Sequence, residues 1–210
     1  MSLSTDETVL ARPRRTQATR RQESDRRMLR AAARLFAERG VSGTSLADVG
    51  VAAGYSRGLP VDRYGSKLGL ITSLLDAMDG WFQTHLMQML EGAAGMKAVR
   101  LRMEAHLASV ERDAVSTAAL YSIYTESLFV MSELQPHVAA VTGRWRDGLA
   151  ADLREARRAG EIGRRVDCEG EARFLLAAMR GLVIQYLLDR SIDDFARSKA
   201  ILLSRLGSLK

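Results

Sequence analysis

Residues 52–67 read Ala-Ala-Gly-Tyr-Ser-Arg-Gly-Leu-Pro-Val-Asp-Arg-Tyr-Gly-Ser-Lys. They concentrate the side chains best suited to gripping a polyanion. A guanidinium such as that of Arg57 or Arg63 bonds bidentately to a guanine edge or in charge-assisted fashion to phosphate. Lys67 follows Ser66, a candidate helix cap, so its ammonium lies beside free N–H groups that also attract phosphate. Residues that would carry catalysis are missing from the pattern. His85, His106 and His137 lack metal-ligand spacing and Cys168 is the single cysteine, so no zinc site is expected. There is no nucleophile elbow, P-loop or dinucleotide fingerprint. No catalytic residue, metal or cofactor is therefore expected, and the chain reads as a binding protein, not an enzyme.

The charge distribution points the same way. The 210 residues carry a net charge of +6, all of it in residues 1–67, where thirteen Lys and Arg stand against seven Asp and Glu. The remainder is neutral, with eighteen of each sign. Such asymmetry fits a polyanion-facing unit joined to a neutral one, or a solvated basic face. Hydrophobic residues make up 47% of the chain, enough for a sizeable core. The N-terminus has arginines but no apolar signal region, and the longest apolar run, Phe174 to Leu188, is broken by Arg180. With one cysteine and neither feature, a cytoplasmic location is expected.

The elements that must position these side chains are helical. Ala, Leu, Arg and Glu are abundant, and alternating β-branched runs are absent, so the fold class is all-α with about nine helices. Residues 1–22 form a polar, Arg-rich arm expected to be flexible, contacting DNA or merely solubilising the chain. A first helix runs from about Ser24 to Arg39, with Met28, Ala32, Leu35 and Phe36 as one stripe and Gly40 as its stop. Ser45 and Asp48 form a capping-box signal for a second helix. Ser56 is a candidate cap for a third, short helix. There Pro60 disturbs only the first turn, so the helix starts late and ends near Tyr64. Ser66 caps a fourth, and further helices fall near Lys97–Arg112, Val115–Met131, Pro136–Ala159, Cys168–Asp189 and Asp193–Leu206. Residues 23–68 thus form one unit, and 69–210 a helical bundle.

Three short helices with a glycine turn between the second and third fit a helix-turn-helix, in which the third helix enters the major groove. The stretch "RRMLRAAARLFAERGVSGTSLADVGVAAGYSRGLPVDRYGSKLGLI" resembles the DNA-binding domain of the TetR family of transcriptional regulators. That resemblance implies a homodimer on a palindromic operator, with a C-terminal bundle for dimerisation and a small-molecule effector. By position it implies phosphate contacts from Thr44 and Ser45. It brings Arg57, Gly58, Leu59, Val61 and Arg63 to the groove beside Ser56, and makes Lys67 a backbone clamp. Tyr64 falls at the family's core aromatic position. Pro60, Val61 and Asp62 depart from the family pattern. Val61 suits a thymine methyl; Asp62 suits cytosine N4 or a local ion pair. Pro60 is expected to stiffen the third helix and to affect sequence preference more than stability.

In the bundle, polar and aromatic residues interrupt apolar helices at Trp81, Phe82, His85 and Met89, at Met103 and His106, at Tyr121, Tyr124 and Leu128, and at Trp145. They are either ordinary core or the lining of a pocket for an apolar or amphipathic ligand. Leu175, Met179, Leu182, Val183 and Tyr186, with Phe195, Leu202 and Leu206, make an apolar surface read as the dimer interface. The expected function is a ligand-responsive repressor, in which ligand shifts the fourth helix and releases operator DNA. The alternatives are a helical protein-interaction scaffold with sequence-blind DNA affinity, or a helical enzyme.

Overall fold

The computed structural model describes residues 16–209, and among them every regular element is a helix. The expected flexibility and DNA contact of the Arg-rich arm fall, for residues 1–15, outside the described residues. In chain order the helices are α1 (Gln17–Arg39), α2 (Leu46–Ala52), α3 (Leu59–Tyr64), α4 (Lys67–Leu90), α5 (Gly95–Arg112), α6 (Ala114–Phe129), α7 (Gln135–Arg158), α8 (Cys168–Asp189) and α9 (Ile192–Ser204). No helix among the described residues is long and apolar enough to cross a membrane.

Helix α1 begins at Gln17 rather than Ser24. Its cap is Thr16, whose hydroxyl accepts from the Thr19 N–H at 3.2 Å. The added turns are polar and exposed, so they leave no hydrophobic periodicity to read, yet they place residues 17–22 of the Arg-rich segment in helix. The stripe Met28, Ala32, Leu35 and Phe36 is buried. Gly40 ends the helix at φ 77°, a conformation that favours glycine.

Two apolar cores result. The front core joins α1, Val49 of α2 and the Leu70–Leu75 portion of α4, and it is completed by Ala119 and Ile123 of α6 with Leu134. The rear core joins Phe82, Leu86 and Leu90 of α4 to α5, α7, α8 and α9. Helix α4 therefore runs unbroken from one core to the other, with Gly80 exposed within it. The cross-link between α6 and the end of α1 is also polar: the Val41 N–H donates to Ser122 Oγ at 3.2 Å, and the Ser42 hydroxyl bonds to Glu126.

The front helices are joined by caps legible from sequence. The Ser45 hydroxyl accepts from the Asp48 N–H at 3.1 Å, while the Asp48 carboxylate accepts from the Ser45 N–H at 2.9 Å. Ser66 accepts from the Gly69 N–H at 3.0 Å to open α4. Helix α3 does start late, at Leu59, and ends at Tyr64. Ser56 contributes its backbone carbonyl, accepting from the Leu59 N–H at 3.3 Å, and Gly58 takes the cap position in place of Ser56.

Pro60 is buried, and its ring sits against Gly50 of α2. A Cβ built on Gly50 would lie 3.1 Å from Pro60 Cδ and 2.5 Å from the Ser56 carbonyl oxygen. Gly50 is thus the notch that lets α2 and α3 touch. The Pro60 ring therefore faces α2, on the core side of the third helix.

Candidate nucleic-acid interface and ligand cavity

Ser56, Arg57, Gly58, Val61 and Asp62 are exposed along and just before α3, with Ser45 exposed at the start of α2. Val61 is 47% exposed, an uncovered apolar side chain beside basic ones. Lys67 is half-buried in the first turn of α4. The Ser45 hydroxyl also donates to Asp48 at 2.7 Å. That bond, with the backbone bond and the positive charges of Arg39 and Arg57, holds the Asp48 carboxyl below its ordinary pKa.

Three of the expected groove or phosphate residues stand differently. Thr44 is buried, and its hydroxyl donates to the Gly40 carbonyl at 3.0 Å, so its side chain is committed to the α1–α2 turn. Leu59 is half-buried against the front core. Arg63 is turned back from the α3 surface: its Nη1 pairs with the Asp25 carboxylate and reaches the Arg21 carbonyl at 3.4 Å. The reason is local charge complementarity across α1 and α3, between residues far apart in sequence. Tyr64 packs on the front core as expected, and burial with the nearby Asp25 charge pushes its hydroxyl up to about 12.

Behind this surface lies a cavity of about 840 Å³ between the two cores. Six of the residues expected in a pocket line it: Trp81, Phe82, His106, Tyr121, Tyr124 and Trp145. Four do not. His85 stacks on Trp81 from outside the wall, with ring centroids 5.6 Å apart, and its Nε2 lies 3.0 Å from Arg112 Nη1. Met89 and Met103 belong to the rear core, and Leu128 is on the surface, 64% exposed. The wall that sequence reasoning missed comes from α1, through Asp25, Arg26, Leu29, Arg30 and Ala33. Those residues occupy the α1 flank beside the Met28 stripe, and only the fold brings them opposite α4, α5 and α6.

Inside the cavity, Phe82 and Trp145 stack with centroids 3.9 Å apart, and His106 meets the Trp145 ring edge-on at 4.7 Å. Both His106 ring nitrogens are buried without a hydrogen-bond partner. Burial, reinforced by the Arg180 charge, lowers its pKa to about 3, so the imidazole is neutral. Asp79 is buried in the wall but well supplied with donors: Arg144 at 2.7 and 2.9 Å and Trp145 Nε1 at 3.3 Å. Arg180, half-buried on α8, donates to Tyr124 OH at 3.2 Å and Thr142 Oγ1 at 3.1 Å and lies 4.8 Å over the Tyr124 ring. Burial raises the Tyr121 and Tyr124 hydroxyls, so both stay protonated. No cluster of three His, Cys, Asp or Glu side chains able to hold a metal ion occurs among the described residues.

The apolar surface expected for dimerisation points mostly inward. Leu175, Met179, Val183, Tyr186, Phe195, Leu202 and Leu206 are buried in the rear core of the same protomer, and Leu182 is half-buried against it. Helix α8 is apolar on more than one face. Its exposed large apolar side chains are Phe174 (64%), Ile184 and Leu188 (81%), and Ile201 is exposed on α9.

Comparison with known proteins agrees with this architecture. Residues 28–74 match the model described as bacterial regulatory proteins, tetR family, and residues 96–209, over half of the chain, match the BetI-type transcriptional repressor C-terminal model. No curated protein sequence matches. Among solved structures, GusR of Salmonella enterica is 27% identical with a TM-score of 0.66, over 91% of this chain and 97% of its own. A transcriptional regulator from Saccharomonospora viridis, in complex with choline, is 21% identical at TM-score 0.77, over 88% and 96%. FadR of Bacillus subtilis, in complex with stearoyl-CoA, is 16% identical at TM-score 0.74, over 88% and 98%.

Proposed function

Because this chain belongs to the TetR family of bacterial regulatory proteins, we propose that it is a homodimeric repressor released from a palindromic operator by a small molecule. The observation that carries this reading is the shared position of Asp25. It lines the cavity and also holds Arg63 of α3. A ligand in the cavity therefore has a route to the reading helix one ion pair long.

On the DNA side, Arg57 and Val61 would meet base edges from α3, with Gly58 and Ser56 allowing close backbone approach and Ser45 and Lys67 near phosphates. Arg63 would join them only when Asp25 lets it go. In the dimer, Phe174, Ile184 and Leu188 of α8 and Ile201 of α9 would be covered by the second copy. Two α3 helices would then sit roughly 34–36 Å apart, one turn of DNA. The choline and stearoyl-CoA complexes of fold relatives support a small-molecule effector without naming this one. Ligand acts only through unequal affinity for the two states, so ligand and operator weaken each other reciprocally.

The test is selection of bound sequences from random duplex DNA with the full chain. An enriched inverted repeat is expected. Binding without enrichment would move the reading to a scaffold with sequence-blind DNA affinity.

A further inference from the structure

The charged groups around the cavity are unequally occupied. Three carboxylates line it, and each has partners: Asp25 holds Arg63, Asp79 holds Arg144 and Trp145, and Asp113 caps α6 through the Ser116 N–H at 2.9 Å and hydroxyl at 2.6 Å. Arg26 and Arg30 also line it, are exposed, and make no hydrogen bond or ion pair among the described residues. They lie four residues apart on α1, hence on one face, one turn above the other. Arg112 adds a third cation whose contact is a histidine ring, and Arg180 stands behind Tyr124 bound only to hydroxyls. Among the described residues, Arg26, Arg30 and Arg112 thus line the cavity without a carboxylate partner, whereas Asp25 and Asp79 are held by arginines and Asp113 by the α6 cap.

The interior has the opposite character. Phe82, Trp145, Val110, Val141 and Leu74 are buried and apolar, and the one unsatisfied polar group among them is His106. A neutral imidazole offers one donor and one acceptor. No protein group among the described residues bonds either ring nitrogen, so a ligand oxygen reaching this depth would gain a bond that the fold itself does not supply.

We propose that the cavity takes an amphipathic organic anion. Its carboxylate or comparable acid sits between Arg26 and Arg30, its hydrocarbon body lies among Phe82, Trp145 and Val110, and one mid-body oxygen bonds to His106. The inference rests on the cavity being the effector site, and it names the class of effector. Because the acid is held by α1, beside Asp25, the ligand's head rather than its tail contacts the reading unit.

The experiment uses the full chain with N-phenyl-1-naphthylamine as a fluorescent cavity probe, displaced at low salt by three twelve-carbon compounds below their micellar concentrations. These are dodecanoate, dodecan-1-ol and dodecyltrimethylammonium. Dodecanoate should displace the probe at about tenfold lower concentration than the alcohol, as two charge-assisted bonds at a partly solvated mouth imply, with the cation weakest. The double substitution Arg26→Gln, Arg30→Gln should bring dodecanoate to the level of the alcohol and leave the alcohol unchanged, which also verifies an intact cavity. In a scan of monohydroxydodecanoates, one positional isomer should gain several-fold in the parent and lose that gain in His106→Leu. An alcohol or cation that binds as tightly as the acid, an acid preference that survives the double substitution, or a hydroxyl scan without a preferred position would each overturn the inference and leave the effector-site reading standing. If neither the probe nor any of the three compounds enters, the effector-site reading itself fails.

Discussion

His106 offers a quantitative test because its burial has a calculable consequence for stability. Its pKa falls from 6.5 to about 3 in the fold, since the ring is buried without partners. Below pH 6.5 the unfolded chain takes up a proton that the native state refuses. Stability therefore falls as pH drops through that range, and the loss continues until the folded pKa is reached. At about 1.4 kcal/mol per pH unit, moving from pH 7 to pH 5 should cost roughly 2 kcal/mol from this residue alone. His106→Leu removes the titration while keeping similar volume. Urea unfolding of both proteins at one protein concentration, at pH 7, 6 and 5, gives the difference between them at each pH. That comparison cancels carboxylates common to both. The difference should shift by about 2 kcal/mol towards the leucine variant between pH 7 and 5. A difference that stays flat would refute a neutral, solvent-excluded imidazole, and with it the polar anchor assigned to the cavity.

Gly50→Ala should destabilise the protein by about 1–3 kcal/mol in thermal or urea unfolding, because the new methyl meets the Ser56 carbonyl and the Pro60 ring; a gain of about 1 kcal/mol would mean that helix propensity governs instead. Asp25→Ala should free Arg63 for a phosphate, steepening the log–log salt dependence of operator binding by about one, and should blunt the response to ligand; an unaltered slope in fluorescence anisotropy would count against the Asp25–Arg63 route. Phe174→Asp with Leu188→Asp alters exposed side chains only, so the protomer should keep its helicity while sedimentation equilibrium shows monomers. Persistence of the dimer would place the interface elsewhere.

How much of this was legible depended on how local the determinants were. Helix α8 was readable to both ends, Cys168 and Asp189, and so were the caps at Ser45 and Ser66, because capping and periodicity are written within a few residues. The start of α1 was hidden because Gln17 to Glu23 are good helix formers with no apolar stripe. The inward and outward faces of α8 were confused because Phe174 and Leu175, or Val183 and Ile184, are adjacent and equally apolar, and period alone cannot say which side meets α7. The α1 wall of the cavity and the capture of Arg63 by Asp25 needed the fold itself, since each joins residues from separate helices. The packing of Pro60 on α2 was hidden because its neighbour there, Gly50, carries no side chain to announce the contact.

The closing of the front core by Ala119, Ile123 and Leu134 bears on portability. A graft of residues 16–75 onto another regulator's bundle would bring the reading surface without the floor beneath Met28, Leu35 and Ile71. Exchange of specificity between such proteins therefore needs the facing side of α6 to travel with the graft. Sequence swaps cut at the apparent border would yield chimeras that fail by exposing oil, whatever operator they were meant to recognise.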